Sequence, residues 1–446
     1  MINRLFAKKA AKNENIFLFN IYTAPDLTEA FYSGDKDKFE ELYNKYENDD
    51  SFKKTYMNAR ELLILDGKES YNVAVHYRLV IDEVNRHTPF LEPIYSSNLC
   101  LEICEPTSPY YDMKDLYSEE DHGRGEVALC NLAGINVADE IDDETYEKIA
   151  YYSLKMIDET IHLTNYELPH VGLTAKKRLN AAVGMIGVAT YLAKKGLQYN
   201  SQEGLKAIHF LSERHMYFLI KSSLRLAKEK GVAPWMHKTK WPKGWLPIDT
   251  YKKDVDDIVE PVYVYDWEKL REEVISNGGI RNSVLVAHMP TESSSKASGV
   301  PNGIYPIRDT HLKKTDQTTV LDWCPMDGDI LQENYQRAWD IPAVDMIKVY
   351  SVFQKFTDQS ISADFYRDRT TNIQISDKEI LEEGLAMVKY GLKSRYYQNS
   401  LVSKTVDEDS SPEDTRTEDT PTEDKDEYGY SSDDQGVGCA GGSCTL

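Results

Sequence analysis

Cysteine is scarce and scattered here: six residues, at positions 100, 104, 130, 324, 439 and 444, form no framework of close spacings. A chain of 446 residues needs no disulfide scaffold to hold a core, so any pairing among these thiols is expected to be chemical rather than architectural. Long apolar runs are also missing. No stretch approaches the ~18 apolar residues that span a bilayer, and the opening MINRLFAKKAAKNENIF lacks the apolar centre of a signal peptide, so a cytoplasmic protein with no membrane partner is expected. There is no basic stripe with interleaved aromatics, which argues against nucleic acid as a partner. The formal charge of −22 is unevenly spread: thirteen acidic and three basic residues lie between Lys404 and Asp434, and the remaining body is only mildly acidic.

Residues 1 to about 402 read as folded, with amphipathic helices alternating with short apolar strands. Helices are expected over 143–163, 175–196 and 202–230, the last ended by Gly231. The runs VEPVYVYDW (259–267) and SVLVAHM (283–289) read as buried strands. Such alternation predicts an α/β fold with a largely parallel sheet or barrel. From about 403 onward Ser, Thr, Asp, Glu and Pro dominate, and the apolar content is too low to offset the entropy of ordering the chain, so a flexible tail is expected.

Several short stretches carry chemistry. In SNLCLEIC (97–104), read as a strand, Asn98, Cys100, Glu102 and Cys104 share one face, setting an amide, a thiol and a carboxylate on one wall. The alternative is that each cysteine is a small buried hydrophobe, and the same alternative applies to Cys130 in GRGEVALCNLAGINV (123–137). The terminal pair Cys439 and Cys444, joined by AGGS, can close a disulfide with little strain and reopen by exchange. Half of a zinc site is the competing reading, but zinc wants four ligands and the tail offers no His or third Cys, so no metal site is expected. In VLVAHMPTESSSKASGVPNG (284–303) a strand, a turn at Pro290 and a helix start would gather amides and the hydroxyls of Ser293, Ser294 and Ser295; phosphate binding and ordinary serine capping are both open. In SDKEILEEGLAMVKYGLKSRYYQNS (376–400), Ser376 and Glu379 form a capping box and Leu381, Leu385, Val388 and Leu392 an apolar stripe. Tyr396 and Tyr397 are read as finishing that helix. With thirty tyrosines in the chain, a pair by itself implies no more than packing.

Taken together, SNLCLEI, GEVALCNLAGINV, LPIDTYKKD, IRNSVLVAHMPTESSSKASGVPNGIYPIR, QKFTDQSISAD, KSRYYQN and the terminal Cys-x4-Cys resemble, in order, the large catalytic subunit of the aerobic class I ribonucleotide reductases. The resemblance implies the C-terminal part of a ten-stranded α/β barrel, made of two half-barrels around a central finger loop, followed by an α/β subdomain and the tail. It implies that Cys100 carries a thiyl radical that takes hydrogen from the substrate ribose, that Glu102 accepts the 3′-hydroxyl proton, and that Asn98 holds the sugar. Cys130 matches one of two substrate-reducing cysteines, and Glu292, Ser293 and Ser294 match the diphosphate-binding loop. Tyr396 and Tyr397 match the tyrosines that relay the radical, and Cys439 and Cys444 match the tail dithiol that re-reduces the site. Cys104 has no family role. No cofactor is expected on this chain itself. The radical would come from a metal-containing small (beta) subunit and the electrons from thioredoxin or glutaredoxin, with a ribonucleoside diphosphate as substrate.

One departure shapes the rest. Only about 95 residues precede SNLCLEI, and they hold no cysteine and open with Arg4, Lys8, Lys9 and Lys12. The family's chain carries before that loop a nucleotide-binding region, effector loops, dimer helices, the first barrel strands and the second reducing cysteine. The expectation is therefore a split gene, of a kind at home in a bacteriophage genome, with the break inside the first half-barrel. A companion N-terminal fragment would cover the exposed strand edges. The expected regions are 1–94, a partial first half-barrel with a split-specific start; 95–250, finger loop and second half-barrel; 251–402, the end of the barrel and the phosphate loop; and 403–446, the tail. The competing function is an inactive truncated partner of the small subunit; a stand-alone dithiol oxidoreductase fits least, because no thioredoxin-like strand and helix surround CAGGSC.

Overall fold

The computed structural model describes residues 1–74, 76–129, 131–315, 320–370 and 375–401. The first lobe is mostly helical: α1 (Arg4–Lys12), α2 (Pro25–Phe31), α3 (Lys36–Glu47) and α4 (Ala59–Val73), with β1 (Asn15–Leu18) and β2 (Thr55–Asn58) paired antiparallel. Asn3 caps α1 by accepting from the Phe6 amide, and Asn58 caps α4 from the amides of Arg60 and Glu61. Two of the basic residues that open the chain are used internally, Lys8 pairing with Glu40 at 2.6 Å and Lys9 with Glu47 at 2.9 Å, which ties α1 to α3.

Beyond this lobe the order is β3 (Arg78–Leu79), α5 (Ile81–Arg86), β4 (Leu132–Asn136), α6 (Asp143–Leu163), α7 (Pro169–Arg178), β5 (Ala182–Ile186), α8 (Val188–Lys194), α9 (Gln202–Lys230), α10 (Pro247–Thr250) and α11 (Trp267–Ser276). The C-terminal part adds α12 (Glu292–Ala297), an antiparallel hairpin of β6 (Leu312–Thr315) and β7 (Val320–Trp323), and α13 (Gly328–Leu331). It ends with α14 (Ala343–Lys355), β8 (Phe365–Asp368), α15 (Asp377–Tyr390), β9 (Ser394–Arg395) and β10 (Gln398–Leu401).

Extended segments from these regions line up as one wall. β4 runs parallel to β5, and the Val183 amide donates to the Leu285 carbonyl at 2.8 Å, setting 284–288 beside β5. On its other side Gln359 N donates to Val286 O and Ser362 N to His288 O, with His288 and Ile361 in a parallel bridge. The buried Asp358 carboxylate accepts the Leu285 and Val286 amides, each at 2.8 Å, so a side chain completes the ladder where the backbones diverge. Next come 363–365 against 396–397, β8 parallel to β10, and β9 antiparallel to β3. The main core fills the space between this wall and α6, α9 and α14. A closed ten-stranded barrel is not present among the described residues: the wall stops at β4, which pairs with no described strand but β5 and leaves Leu132 exposed.

The helices 143–163 and 202–230 form with those bounds, the second closed by Gly231 at φ +86°. The expected helix 175–196 is instead α7, β5 and α8. Its centre, AVGMI, is buried on every residue, and a Cβ at Gly184 would stand 2.7 Å from the Ala287 carbonyl oxygen, so the glycine permits a close strand–strand approach that a helix would not use. Residues 259–267 form no strand: the Glu213 carboxylate on α9 accepts the amides of Val264 and Tyr265 in place of a neighbouring backbone. The capping box at Ser376 and Glu379 forms, but α15 ends at Gly391 in the left-handed region, and Tyr396 and Tyr397 lie beyond it on the extended wall segment. No helix among the described residues is long and apolar enough to cross a membrane.

Candidate active site

The stretch 97–104 is a tight loop, not a strand, so the expected alternation of faces does not form. Asn98 closes it: its amide donates to the Ile103 carbonyl at 3.3 Å, its side-chain oxygen accepts the Ile103 amide at 3.1 Å, and its carbonyl accepts the Leu101 amide at 3.2 Å. The turn requires Leu101 at φ +66°, in the left-handed region, a conformation costing about 1 kcal/mol for a residue with a Cβ. Burial of the Leu101 side chain offsets that cost.

Long-range bonds from 359–362 hold the loop in place. The Gln359 side chain accepts the Cys104 amide at 2.8 Å, and the Ser360 amide donates to the Glu102 carbonyl at 2.8 Å. The Ser362 hydroxyl donates to the Glu102 carboxylate at 3.1 Å. Behind them Lys393, fully buried, donates to the carbonyls of Asp358 and Gln359, and burial pulls its ammonium down to about 8. The buried Tyr305 hydroxyl donates to the Ser362 carbonyl at 2.8 Å and lies within electrostatic range of Glu102 and Cys100.

The loop tip presents Cys100, half-buried, whose sulfur accepts the Tyr396 hydroxyl at 3.2 Å. Burial first, and then this bond, push the Tyr396 phenol well above its ordinary value, so it is a neutral donor at any physiological pH. Tyr396 and Tyr397 have ring centres 4.0 Å apart at 49°. Tyr77, just before β3, joins them at 4.8 Å from Tyr396 and 5.7 Å from Tyr397. Cys104 faces the other way, and burial pushes its thiol up to about 12, which leaves no thiolate to react.

At the end of segment 284–288, α12 carries Glu292, Ser293 and Ser294, all exposed, above a braced base. Thr291 and Ser295 share a hydroxyl contact of 2.6 Å, and Asn302 accepts the Thr291 amide at 2.7 Å while donating to Glu292 at 3.1 Å. The structure therefore brings Cys100 against Tyr396 and Tyr396 against Tyr397, sets Glu102 against Ser362, and places the serine loop on the segment next to Ser362. Cys130, Cys439 and Cys444 lie outside the described residues. Tyr77, Tyr305, Gln359, Ser362 and Lys393 were not singled out by the sequence reading, because each is an ordinary residue whose partners are distant in the chain.

One further group has metal-ligand spacing among the described residues: His311, Cys324 and Asp329, with ligand atoms within 4.8 Å of one another. It stands at the foot of the β6–β7 hairpin, contains none of the residues above, and already has a His311–Asp329 ion-pair contact of 3.2 Å.

A family model described as ribonucleotide reductase, barrel domain, matches residues 1–398. The chain is 35% identical over 451 residues to the ribonucleoside-diphosphate reductase subunit alpha of Haemophilus influenzae, covering 100% of this chain and 55% of that protein. It is 35% identical to ribonucleoside-diphosphate reductase 1 subunit alpha of Escherichia coli, over 90% of this chain and 52% of that one. Against the subunit alpha of Enterobacteria phage T4 the identity is 34%, over 91% and 53%. The chain thus spans about half the length of these relatives, and the likeness reaches its first residue, including the lobe ahead of the loop.

Proposed function

As the chain belongs to the ribonucleotide reductase barrel family, we propose that it is the thiyl-bearing component of a class I ribonucleoside-diphosphate reductase. The observation that carries this reading is the 3.2 Å contact between the Tyr396 hydroxyl and the Cys100 sulfur, with the Tyr397 ring tilted against that of Tyr396, centres 4.0 Å apart. A hydrogen atom passing from Cys100 to an oxidised Tyr396 breaks one S–H bond, forms one O–H bond and leaves the radical on sulfur. That thiyl takes hydrogen from the ribose C3′ while Glu102, oriented by Ser362, accepts the 3′-hydroxyl proton. Loss of the 2′-hydroxyl as water then draws two electrons and two protons from Cys130 and a second cysteine, which become a disulfide, Glu102 gives its proton back to O3′, and Cys100 returns hydrogen to C3′. Asn98, already tied into the loop, contributes to holding the sugar; Glu292, Ser293 and Ser294 bind the diphosphate. Cys439 and Cys444 exchange with the spent disulfide and are themselves reduced by thioredoxin or glutaredoxin. The radical arrives from a metal-containing small subunit by way of Tyr397.

We further propose that an N-terminal companion fragment, encoded by the other part of a split gene, supplies the first half-barrel. The exposed Leu132 on the outer strand, and the exposed Tyr152, Met156 and Leu163 on α6, support a covered edge in the working assembly. An inactive decoy of the small subunit would have no use for the loop-anchoring bonds around Glu102. The test is reconstitution: this chain, the N-terminal fragment, the small subunit, a dithiol reductant and a ribonucleoside diphosphate should give deoxynucleotide, while this chain without the fragment should give none. Substantial turnover by the single chain would sink the two-piece reading, and turnover by Cys100→Ser in the full mixture would remove Cys100 from its role.

A further inference from the structure

We propose that His311, Cys324 and Asp329 form a zinc site that clips the open end of the β6–β7 hairpin to the helical turn that follows it. Their ligand atoms, an imidazole nitrogen, a sulfur and a carboxylate oxygen, lie within 4.8 Å of one another, and His311 Nε2 is already 3.2 Å from Asp329 Oδ1. A tetrahedral zinc ion with bonds of about 2.0–2.3 Å needs donor atoms about 3.3–3.8 Å apart, so the nitrogen and oxygen stand close to that spacing and the sulfur has about 1 Å to close.

The chain brings the three together by local means. In the hairpin Leu312 pairs with Trp323, and continuing that antiparallel register by one step sets His311 opposite Cys324, at positions whose Cβ atoms lie about 4.5–5.5 Å apart. The chain then reverses at once: the Gly328 amide donates to the Pro325 carbonyl at 2.8 Å, and the amides of Ile330 and Leu331 donate to the Asp327 carbonyl. Glycine is required there, because a Cβ at position 328 would overlap the Cys324 sulfur. The two carboxylates of this turn are used differently. Asp327 faces Lys194 at 3.6 Å, whereas Asp329 faces His311. The Met326 amide donates to the Gly299 carbonyl at 2.7 Å, so the turn is anchored to the segment just beyond α12.

The donor set selects the ion. One nitrogen, one sulfur and one oxygen form a mixture that zinc accepts, whereas magnesium and calcium take oxygen ligands. The charges also balance: a thiolate and a carboxylate carry two negative charges, which a divalent ion neutralises beside a neutral imidazole. Binding exchanges the S–H bond of Cys324 for a sulfur–metal bond and releases that proton to solvent, with no change in oxidation state. The His311–Asp329 contact holds two of the donors in place beforehand. When the ion takes the ring nitrogen that faces Asp329, the imidazole keeps its one proton on the other nitrogen. His311 and Asp329 are exposed and Cys324 is half-buried, so an ion reaches the site from solvent and water can fill the fourth position.

The experiment uses the full chain carrying Cys439→Ser and Cys444→Ser, which removes the tail thiols as competing ligands, with Co2+ as the probe. One Co2+ per chain should bind, giving the visible bands of a tetrahedral site and a sulfur-to-cobalt charge-transfer band in the near ultraviolet, and Zn2+ should displace both. Adding Cys324→Ser should abolish the charge-transfer band. His311→Ala and Asp329→Asn should each weaken binding by at least about tenfold, while the metal-free melting temperatures stay at the parental value. Absence of a thiolate band in the parent, a band that survives Cys324→Ser, or parental affinity in both His311→Ala and Asp329→Asn overturns the proposal. A second measurement needs no variant at the site: alkylation of Cys324 by iodoacetamide, followed by peptide mass, should slow at least about tenfold under saturating Zn2+, because a metal-bound sulfur is withheld from the reagent. Equal alkylation rates with and without Zn2+ also overturn it.

Discussion

Tyr396→Phe separates packing from radical transfer, because the substitution removes a single group whose surroundings are known. The ring would stay where it is, buried at 4% exposure, 4.0 Å from Tyr397 and 4.8 Å from Tyr77. What disappears is one O–H···S bond of 3.2 Å. A neutral hydrogen bond contributes ~0.5–1.5 kcal/mol net, and a thiol is a weak acceptor, so the stability loss should sit at the lower end, below about 1 kcal/mol. For a domain of this size that corresponds to a shift in melting temperature of about 2 °C or less. Turnover should behave differently. Phenylalanine has no O–H to exchange with the Cys100 sulfur, and a loss of at least about 10³-fold, equal to about 4 kcal/mol of barrier, is expected. Tyr146→Phe is the matched control: its hydroxyl bonds His215 at 2.7 Å in the core, so it should lose similar stability and keep its rate. The assay is deoxynucleotide formed by the reconstituted complex, beside thermal melts of the same samples. Retention of more than a tenth of the parental rate by Tyr396→Phe, with an undisturbed melt, would return Tyr396 to ordinary core packing.

Other expectations follow from single features. Burial pushes the Glu105 carboxyl up to about 8, against about 4.3 in an unfolded chain. The folded state therefore holds a proton that the unfolded state releases between those values, and the stability it lends is present below about pH 4 and lost as pH rises toward 8. Glu105→Gln should flatten that decline in urea midpoints measured from pH 5 to 8; parallel profiles would show that Glu105 does not titrate there. Gly184→Ala places a Cβ 2.7 Å from a backbone oxygen and 2.8 Å from the Met289 sulfur, and should cost about 1–3 kcal/mol, read as a lower melting temperature; an unchanged melt would mean that the β5 seam is looser than described. Replacing Cys439 and Cys444 by Ser should leave about one deoxynucleotide per site with a protein reductant and restore many with dithiothreitol, which needs no shuttle. Many turnovers with thioredoxin would dismiss the tail's role.

How much of this was legible in the sequence depends on the range of the interactions involved. Helices α6 and α9 were readable because an amphipathic pattern and, for α9, a terminal Gly231 are local signals. The strand β5 was misread as helix because a fully buried strand and a buried helix share a continuous apolar run, and only the contact of Gly184 with Ala287 distinguishes them. The residues of the loop at 97–104 were visible but its shape was not: alternation suits a strand, and the turn at Leu101 is imposed by Gln359, Ser360 and Ser362, more than 250 positions away. Tyr396 and Tyr397 were placed on a helix because the stripe of α15 points at them, whereas Gly391 ends the helix and frees the pair for the wall.

The division of the site between local and distant support bears on how the proposed reaction can be taken apart. Four supports of the Cys100–Tyr396 contact lie in described residues of this chain: the loop closed by Asn98, the brace from 359–362, the buried Lys393 behind it and the β3–β9 pairing beside it. The two-electron step is different, because on the proposed reading it needs a second thiol next to Cys130, which itself lies outside the described residues. Cys104 does not serve, since it is buried in an apolar cluster with Leu79, Val84, Phe90 and Val284, where no substrate reaches it. The one-electron geometry and the two-electron chemistry therefore have separable requirements. A companion fragment altered in its reducing cysteine should still permit a thiyl to form at Cys100 in the complex, detectable as exchange of the ribose C3′ hydrogen without loss of the 2′-hydroxyl. Removal of Cys100 should abolish both.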